Sequence, residues 1–262
     1  MQLLRTSAGV LHIWTSKLVS TRKTLVFINS LGTDFRIWDD VVMALGDSFN
    51  IVLHDKAGHG LSTDRPRPAK MSDFADDLDA ILGHLSLSKV VVCGISVGGL
   101  IAQSLYQKRP DVIEGLILSN TGMKIGTAES WSARISAIEA GGIASIAESI
   151  LERWFAPEFR ERKQSEYALY RNMLVRTSSQ GYLACCQAIR DADFTSDAKK
   201  IAVPVLCIGG EHDGSTPPVL VEAMARQIPA SKIEMIKGAA HLPCIETPEI
   251  YSSLISTFVE AI

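Results

Sequence analysis

The chain of 262 residues has only five cysteines, and the number is odd: Cys93, Cys185, Cys186, Cys207 and Cys244. No Cys-x-x-Cys pair or Cys/His cluster has the spacing of a zinc site, so no metal is expected. Cys93 and Cys207 lie in apolar runs that read as strands, which predicts reduced, mostly buried thiols and a cytoplasmic protein. The adjacent Cys185 and Cys186 read as core and surface positions of one helix. No stretch approaches 18 consecutive apolar residues, so no membrane-spanning helix is expected. Met1-Gln2-Leu3-Leu4-Arg5-Thr6 does not lead into the long apolar region of a signal peptide. Neither sign of charge dominates: 26 basic against 29 acidic residues leaves −3. That excludes a broadly basic nucleic-acid binder, though not a local basic patch. Internal repeats, low-complexity tracts and flexible linkers are also missing.

What is present is enough apolar sequence for a substantial core without disulfide or metal staples. Short β-rich runs alternate with helical patterns. Strands are predicted at 25–28, 50–54, 90–93 and 113–118, with helices at 37–45, from Ser72 onward, and at 100–107. In the second helix Phe74, Leu78, Ile81 and Leu82 share one face, and Asp76 and Asp77 fall on the other side. This order argues a parallel sheet covered on both faces. From about 121 to 192 no strand is evident. Helices are expected at 131–150, interrupted by Gly141-Gly142, then at 160–175 and 180–190. Strand rhythm returns at 203–208 and 233–236, with helices at 218–227 and 247–261. The reading is an α/β core in two parts, 1–120 and 193–262, split by a helical insertion at 121–192.

Gly94-Ile95-Ser96-Val97-Gly98-Gly99 lies between a predicted strand and a predicted helix. G-x-S-x-G is common by chance, so this setting gives it weight. A nucleophilic serine there must sit on a tight turn, and a Cβ at Gly94 or Gly98 would collide with its neighbours. The helix N-terminus behind Ser96 offers free N–H groups to a developing oxyanion. The structural alternative is an ordinary or phosphate-binding strand–helix turn.

A serine nucleophile needs a base, and the base an orienting acid. Asp213 lies just past a strand end, where parallel sheets place functional loops; Glu211 competes with it, and a turn or N-cap role is the alternative. His241 follows the last strand. Of the other histidines, His12 and His54 fall in strand-like runs, His59 in a Gly-rich turn and His84 at a helix end. His212 is the nearest rival. Ser96, Asp213 and His241 stand in the order this arrangement requires, each at a strand's carboxyl edge. A second oxyanion amide is needed from the loop after an early strand. Leu31, in Asn29-Ser30-Leu31-Gly32-Thr33, is assigned to it beside Val97; a plain Gly turn is the alternative.

Taken together, these segments resemble the α/β-hydrolase superfamily along essentially the whole chain. Asp55-Lys56-Ala57-Gly58-His59-Gly60-Leu61-Ser62 is similar to the D-x-x-G-x-G-x-S segment of its small, cofactor-free members. Asn29-Ser30-Leu31-Gly32-Thr33-Asp34 with Trp38, Ser119-Asn120-Thr121 and Arg153-Trp154-Phe155 resemble the 3-oxoadipate enol-lactonases in particular. Ala57 departs from the larger residue many relatives carry. The resemblance implies a mostly parallel sheet with a helical cap, no cofactor, and hydrolysis of 3-oxoadipate enol-lactone in bacterial aromatic degradation. Such a substrate carries a carboxylate, so the cap is expected to offer a cation or donors. Arg134 and Trp154 are assigned to it, against the alternative of a solvated helix face and core packing. The same triad would also serve a carboxylesterase, another lactonase, a C–C bond hydrolase, a perhydrolase or a slow small-molecule sensor.

Overall fold

The computed structural model describes residues 2–6 and 8–262. Its strands are β1 (Gln2–Thr6), β2 (Gly9–Thr15), β3 (Thr24–Ile28), β4 (Asn50–His54), β5 (Val90–Ile95), β6 (Ile113–Ser119), β7 (Val205–Gly210) and β8 (Ser231–Ile236). They form one sheet in the order β1-β2-β4-β3-β5-β6-β7-β8. The pairs β1/β2 and β2/β4 are antiparallel, and every pair from β4 to β8 is parallel. Sequence periodicity finds no β1, and β2 only as the run around His12. All but two of the five β1 residues are exposed, so a short edge strand carries no clear alternation. By contrast, every residue of β3 and β5 is buried. That explains their unbroken apolar sequences, since strands covered on both faces have no polar side to show.

The helices before β6 are α1 (Asp39–Leu45), α2 (Met71–His84) and α3 (Val97–Lys108). Between β6 and β7 lie α4 (Ala128–Gly141), α5 (Ala147–Trp154), α6 (Pro157–Arg162), α7 (Gln164–Val175) and α8 (Ser179–Asp191). After β7 come α9 (Pro218–Gln227), α10 (Pro243–Glu246) and α11 (Pro248–Glu260). Crossovers leave β3 toward β4 in one direction and β5 toward β6 in the other. With right-handed connections, this sends α1 to one face and α2 and α3 to the opposite face; α1 packs on α11, and α2 on α3. The carboxyl ends of β3 and β5 flank the crevice where the order reverses, the usual ligand position of open α/β sheets.

Three expectations need correction. The stretch 160–175 is two helices, because Lys163 leaves helical geometry between α6 and α7. Asp77 is not on an exposed face: it is buried at the edge of the apolar stripe, where Arg65 folds over it with a 2.6 Å ion pair. Burial raises its carboxyl above the ordinary value despite that arginine. Cys186 is not a surface position either. Both Cys185 and Cys186 are buried, because α8 packs against α4 on one side and α2 on another. A helix covered on several sides has no outward stripe.

Candidate active site

The turn after β5 holds Ser96 at φ 59° and ψ −120°, a left-handed conformation that L residues avoid without support. The support is local. The Ser96 amide donates to the Ser119 carbonyl (2.9 Å), and its carbonyl accepts from Thr121 Oγ1 (2.7 Å) and the Gly99 amide (2.9 Å). A Cβ at Gly94 would lie 2.2 Å from the Gly98 carbonyl oxygen, and one at Gly98 would lie 2.3 Å from that of Ile28. Both glycines are therefore required by close backbone approach. Val97 opens α3, so its amide is one of the first-turn donors without an intrahelical acceptor.

The Asp213 loop follows β7, and the His241 loop follows β8. His241 Nδ1 is 2.8 Å from Asp213 Oδ2, and both side chains are buried. The carboxylate is saturated. Oδ1 accepts the amides of Ser215 (2.7 Å) and Thr216 (2.9 Å), and Oδ2 accepts Asn120 Nδ2 (2.8 Å). Thr216 Oγ1 lies 2.7 Å from Oδ2 and 3.2 Å from His241 Nδ1. Burial pushes the Asp213 carboxyl up, but His241, Thr216 and Asn120 together outweigh it and hold it below the ordinary value. An ionised Asp213 favours the His241 tautomer whose Nε2 is free to accept a proton. Asn120, at φ 45°, also donates to the Ala240 carbonyl and so ties the acid loop to the base loop. Nothing in the sequence around Ser119-Asn120-Thr121 marks this role for Asn120.

The rival residues sit elsewhere. His212 is half exposed and 3.8 Å from Glu211, whose carboxylate accepts the Gly238 amide. His12 pairs with Asp55 at 2.8 Å. His54 is fully buried, and burial pushes it down to about 4. His59 is buried against the Ala57 carbonyl.

Ser96 and His241 open onto one cavity of about 340 Å³, walled on its other side by residues of α4, α5 and α8. Leu31 lines it, and among the described residues its amide makes no hydrogen bond. Gly32 (φ 77°) lets α7 and α8 approach: a Cβ there would lie 2.5 Å from Leu174 and 3.0 Å from the Tyr182 ring. Arg134 and Trp154 line the cavity, as does Arg153. The Arg134 guanidinium lies over the Trp131 ring, 4.7 Å from its centroid. Burial lowers the Arg153 pKa, and the charge of Arg134 lowers it further. Among the described residues, neither arginine pairs with a carboxylate, and the buried Arg153 Nε has no partner. Sequence reasoning takes Trp154 from this segment and misses Arg153. The signal was helical spacing: Ile146, Ser149, Ile150 and Arg153 recur at three and four residues and all face the cavity.

Residues 20–248 match the Hydrolase_4 family model, described as serine aminopeptidase, S33. The chain is 34% identical over 238 residues to 3-oxoadipate enol-lactonase 1 of Acinetobacter baylyi, covering 91% of this chain and 89% of that one. It is 31% identical over 239 residues to 3-oxoadipate enol-lactonase 2 of the same organism, with the same coverage. Its structure is similar to that of an enol-lactonase from Burkholderia xenovorans, with a TM-score of 0.95 at 29% identity, covering 99% of this chain and 100% of the other. With an eight-stranded sheet, a glycine-flanked serine turn and this extent of similarity, the chain belongs to the α/β-hydrolase family, among its esterase and lactone hydrolases.

Proposed function

We propose that the chain hydrolyses 3-oxoadipate enol-lactone, with Ser96 as nucleophile, His241 as base and Asp213 as orienting acid. The observation that carries this reading is the pair Arg134 and Arg153 on the Ser96 cavity, without carboxylate partners among the described residues. Two like charges facing one cavity favour an anionic guest, and the lactone has one carboxylate arm. The enol-lactonase relatives support the same substrate. Trp154, on the cavity wall, packs against the bound ring. The helices within 121–192 act as the cap over the core segments 1–120 and 193–262.

In the first step His241 Nε2 takes the Ser96 hydroxyl proton as Oγ attacks the lactone carbonyl. The Leu31 and Val97 amides hold the oxyanion. The ring C–O bond then breaks, and the leaving enolate takes the proton held on His241 Nε2 and tautomerises to a ketone, which returns His241 to its neutral, basic form. The tautomerisation makes ring opening effectively irreversible. His241 next activates a water that releases the acyl group from Ser96. Asp213 stabilises the imidazolium that forms at each stage.

The test is ultraviolet loss of the lactone, generated in situ by muconolactone isomerase, for the wild type and Ser96→Ala. A wild-type kcat/KM above about 10⁴ M⁻¹s⁻¹, with the variant at background, is expected. If only a generic p-nitrophenyl ester is cleaved through Ser96, the serine mechanism stands and the lactone is the wrong substrate.

A further inference from the structure

Lys56 follows β4 and is almost completely buried. Its Nζ donates to the carbonyls of Ser30 (2.5 Å) and Thr33 (3.2 Å). Among the described residues, no carboxylate lies within 4 Å of it. The nearest acids are engaged elsewhere: Asp34 holds Arg36 at 2.6 Å, and Asp55 accepts from His12, the Phe35 amide and the Leu61 amide. The other titratable neighbours offer no countercharge. Burial pushes His54 down to about 4 and His59 well below its ordinary value, and it pushes the Cys185 thiol on α8 up to about 12. A lysine held this way is costly, since a buried cation loses its hydration without gaining an anion.

Its position suggests what the cost maintains. The Ser30 carbonyl and the Leu31 N–H belong to one peptide group. The carbonyl points back to Lys56, and Leu31 lines the Ser96 cavity. A cation on the oxygen of an amide draws electron density from its nitrogen and strengthens the N–H as a donor. The contacts from Lys56 to Ser30 and Thr33 also span the turn, which Thr33 Oγ1 braces by donating to Ser30 O at 2.9 Å. We propose that Lys56 is a positioning residue for hydrolysis, holding and polarising the Ser30–Leu31 peptide so that its N–H stabilises the oxyanion. This rests on the serine mechanism above but not on the identity of the lactone.

The consequence is a dependence on the Lys56 charge. Burial pulls this amine down to about 8, so it is a cation below that pH and neutral above it. The experiment uses a neutral ester, p-nitrophenyl butyrate, with Lys56→Met and the wild type. Removing an oxyanion donor costs about 10²–10³-fold in kcat, and weakening one from behind is expected to cost roughly 10- to 100-fold. KM should move little, because the ground-state carbonyl gains least from the donor. The wild-type kcat should fall as pH rises through about 8, and that alkaline limb should vanish in the variant. A folded Lys56→Met with wild-type kcat and pH profile overturns the proposal. Fluorophosphonate labelling of Ser96 separates the two readings. A wild type that takes no label removes the serine mechanism and this proposal with it; a labelled wild type with an unaffected variant removes this proposal alone. If Lys56→Met does not fold, the wild-type profile decides: kcat level to pH 9.5 overturns the proposal, and a fall near pH 8 supports it.

Discussion

The backbone carbonyl of Trp154, at the end of α5 in the cap, accepts the amide of His241 at 3.1 Å. The same oxygen lies 3.3 Å from the Leu242 amide. The cap thus contributes more than a roof, because it seats the backbone of the proposed base. The Trp154 indole meanwhile lines the cavity that His241 opens onto. A displacement of α5 would therefore alter pocket shape and base position together. That is a physical reason for substrate fit and turnover to be coupled here.

Asp213→Asn is expected to lower kcat by about 10³–10⁴-fold with the fold intact. The side chain keeps its volume, and one oxygen can still accept the Ser215 and Thr216 amides. Its NH₂ would meet donors from Asn120 and Thr216, and it would no longer stabilise a charged His241. Lactone turnover beside a thermal melt measures both. Turnover within tenfold of wild type would remove Asp213 from the mechanism.

The serine turn was legible because its constraints are local: Gly94 and Gly98 lie within two residues of Ser96. Asp213 and His241 were legible because strand ends can be read from apolar runs. What stayed hidden depends on neighbours distant in sequence. The burial of Cys186 comes from helices α2 and α4 closing around α8. The burial of Asp77 comes from Arg65 folding over α2. Arg153 was hidden for a different reason, since its spacing was visible but the side of α5 that would face the site was not. Lys56 lies in the Asp55–Ser62 motif, yet nothing in that motif says its side chain turns inward to the Ser30 carbonyl.

Arg153→Met is expected to raise KM for the carboxylate-bearing lactone by about 10- to 100-fold, the loss of a charged hydrogen bond worth roughly 1.5–3 kcal/mol. Methionine keeps much of the stem, so packing against Gly214 is largely retained. Kinetics on p-nitrophenyl butyrate should change little, because that ester has no anionic arm. Equal losses on both substrates would show that Arg153 shapes the pocket instead of binding the carboxylate.

Gly98→Ala should destabilise the fold by about 1–3 kcal/mol, as overpacking does. Its Cβ would meet the Ile28 carbonyl oxygen at 2.3 Å, and neither β3 nor α3 can retreat without opening the core. Gly83→Ala is the contrasting variant. It lies in the last turns of α2, and none of the described residues beyond its own helix and chain neighbours comes within 4 Å of its new methyl. A gain of roughly 0.5–1 kcal/mol is expected there from helix propensity. Urea unfolding midpoints compare the two, and an unchanged midpoint for Gly98→Ala would refute the close-approach argument.

Glu246, the last residue of α10, joins the cap to the base loop. Its Oε1 accepts the Ala156 amide at 2.7 Å, and its Oε2 accepts the Ala240 amide at 2.6 Å. Desolvation raises its pKa to about 7 from an ordinary value of 4.5; the two amides oppose the shift, the Asp213 charge adds to it, and His241 offsets part of it. Between those values the folded chain keeps a proton that the unfolded chain has released. This contribution to stability is therefore complete below 4.5 and is lost as pH rises through about 7. Glu246→Gln should remove that slope, visible as a flatter Tm-against-pH curve from 4.5 to 7 relative to wild type. Activity should move the opposite way. Only the carboxylate offers an acceptor to both amides, so above pH 7 the wild type holds cap and His241 loop together. Glutamine presents one oxygen and one NH₂, and must turn a donor toward Ala156 or Ala240. A fall in kcat of about tenfold is expected above pH 7, the cost of one charged hydrogen bond. The deficit should narrow below pH 6, where the wild-type side chain is itself protonated and has lost the same acceptor. A deficit constant across the whole range would mean that the ionised clamp plays no part in seating the base.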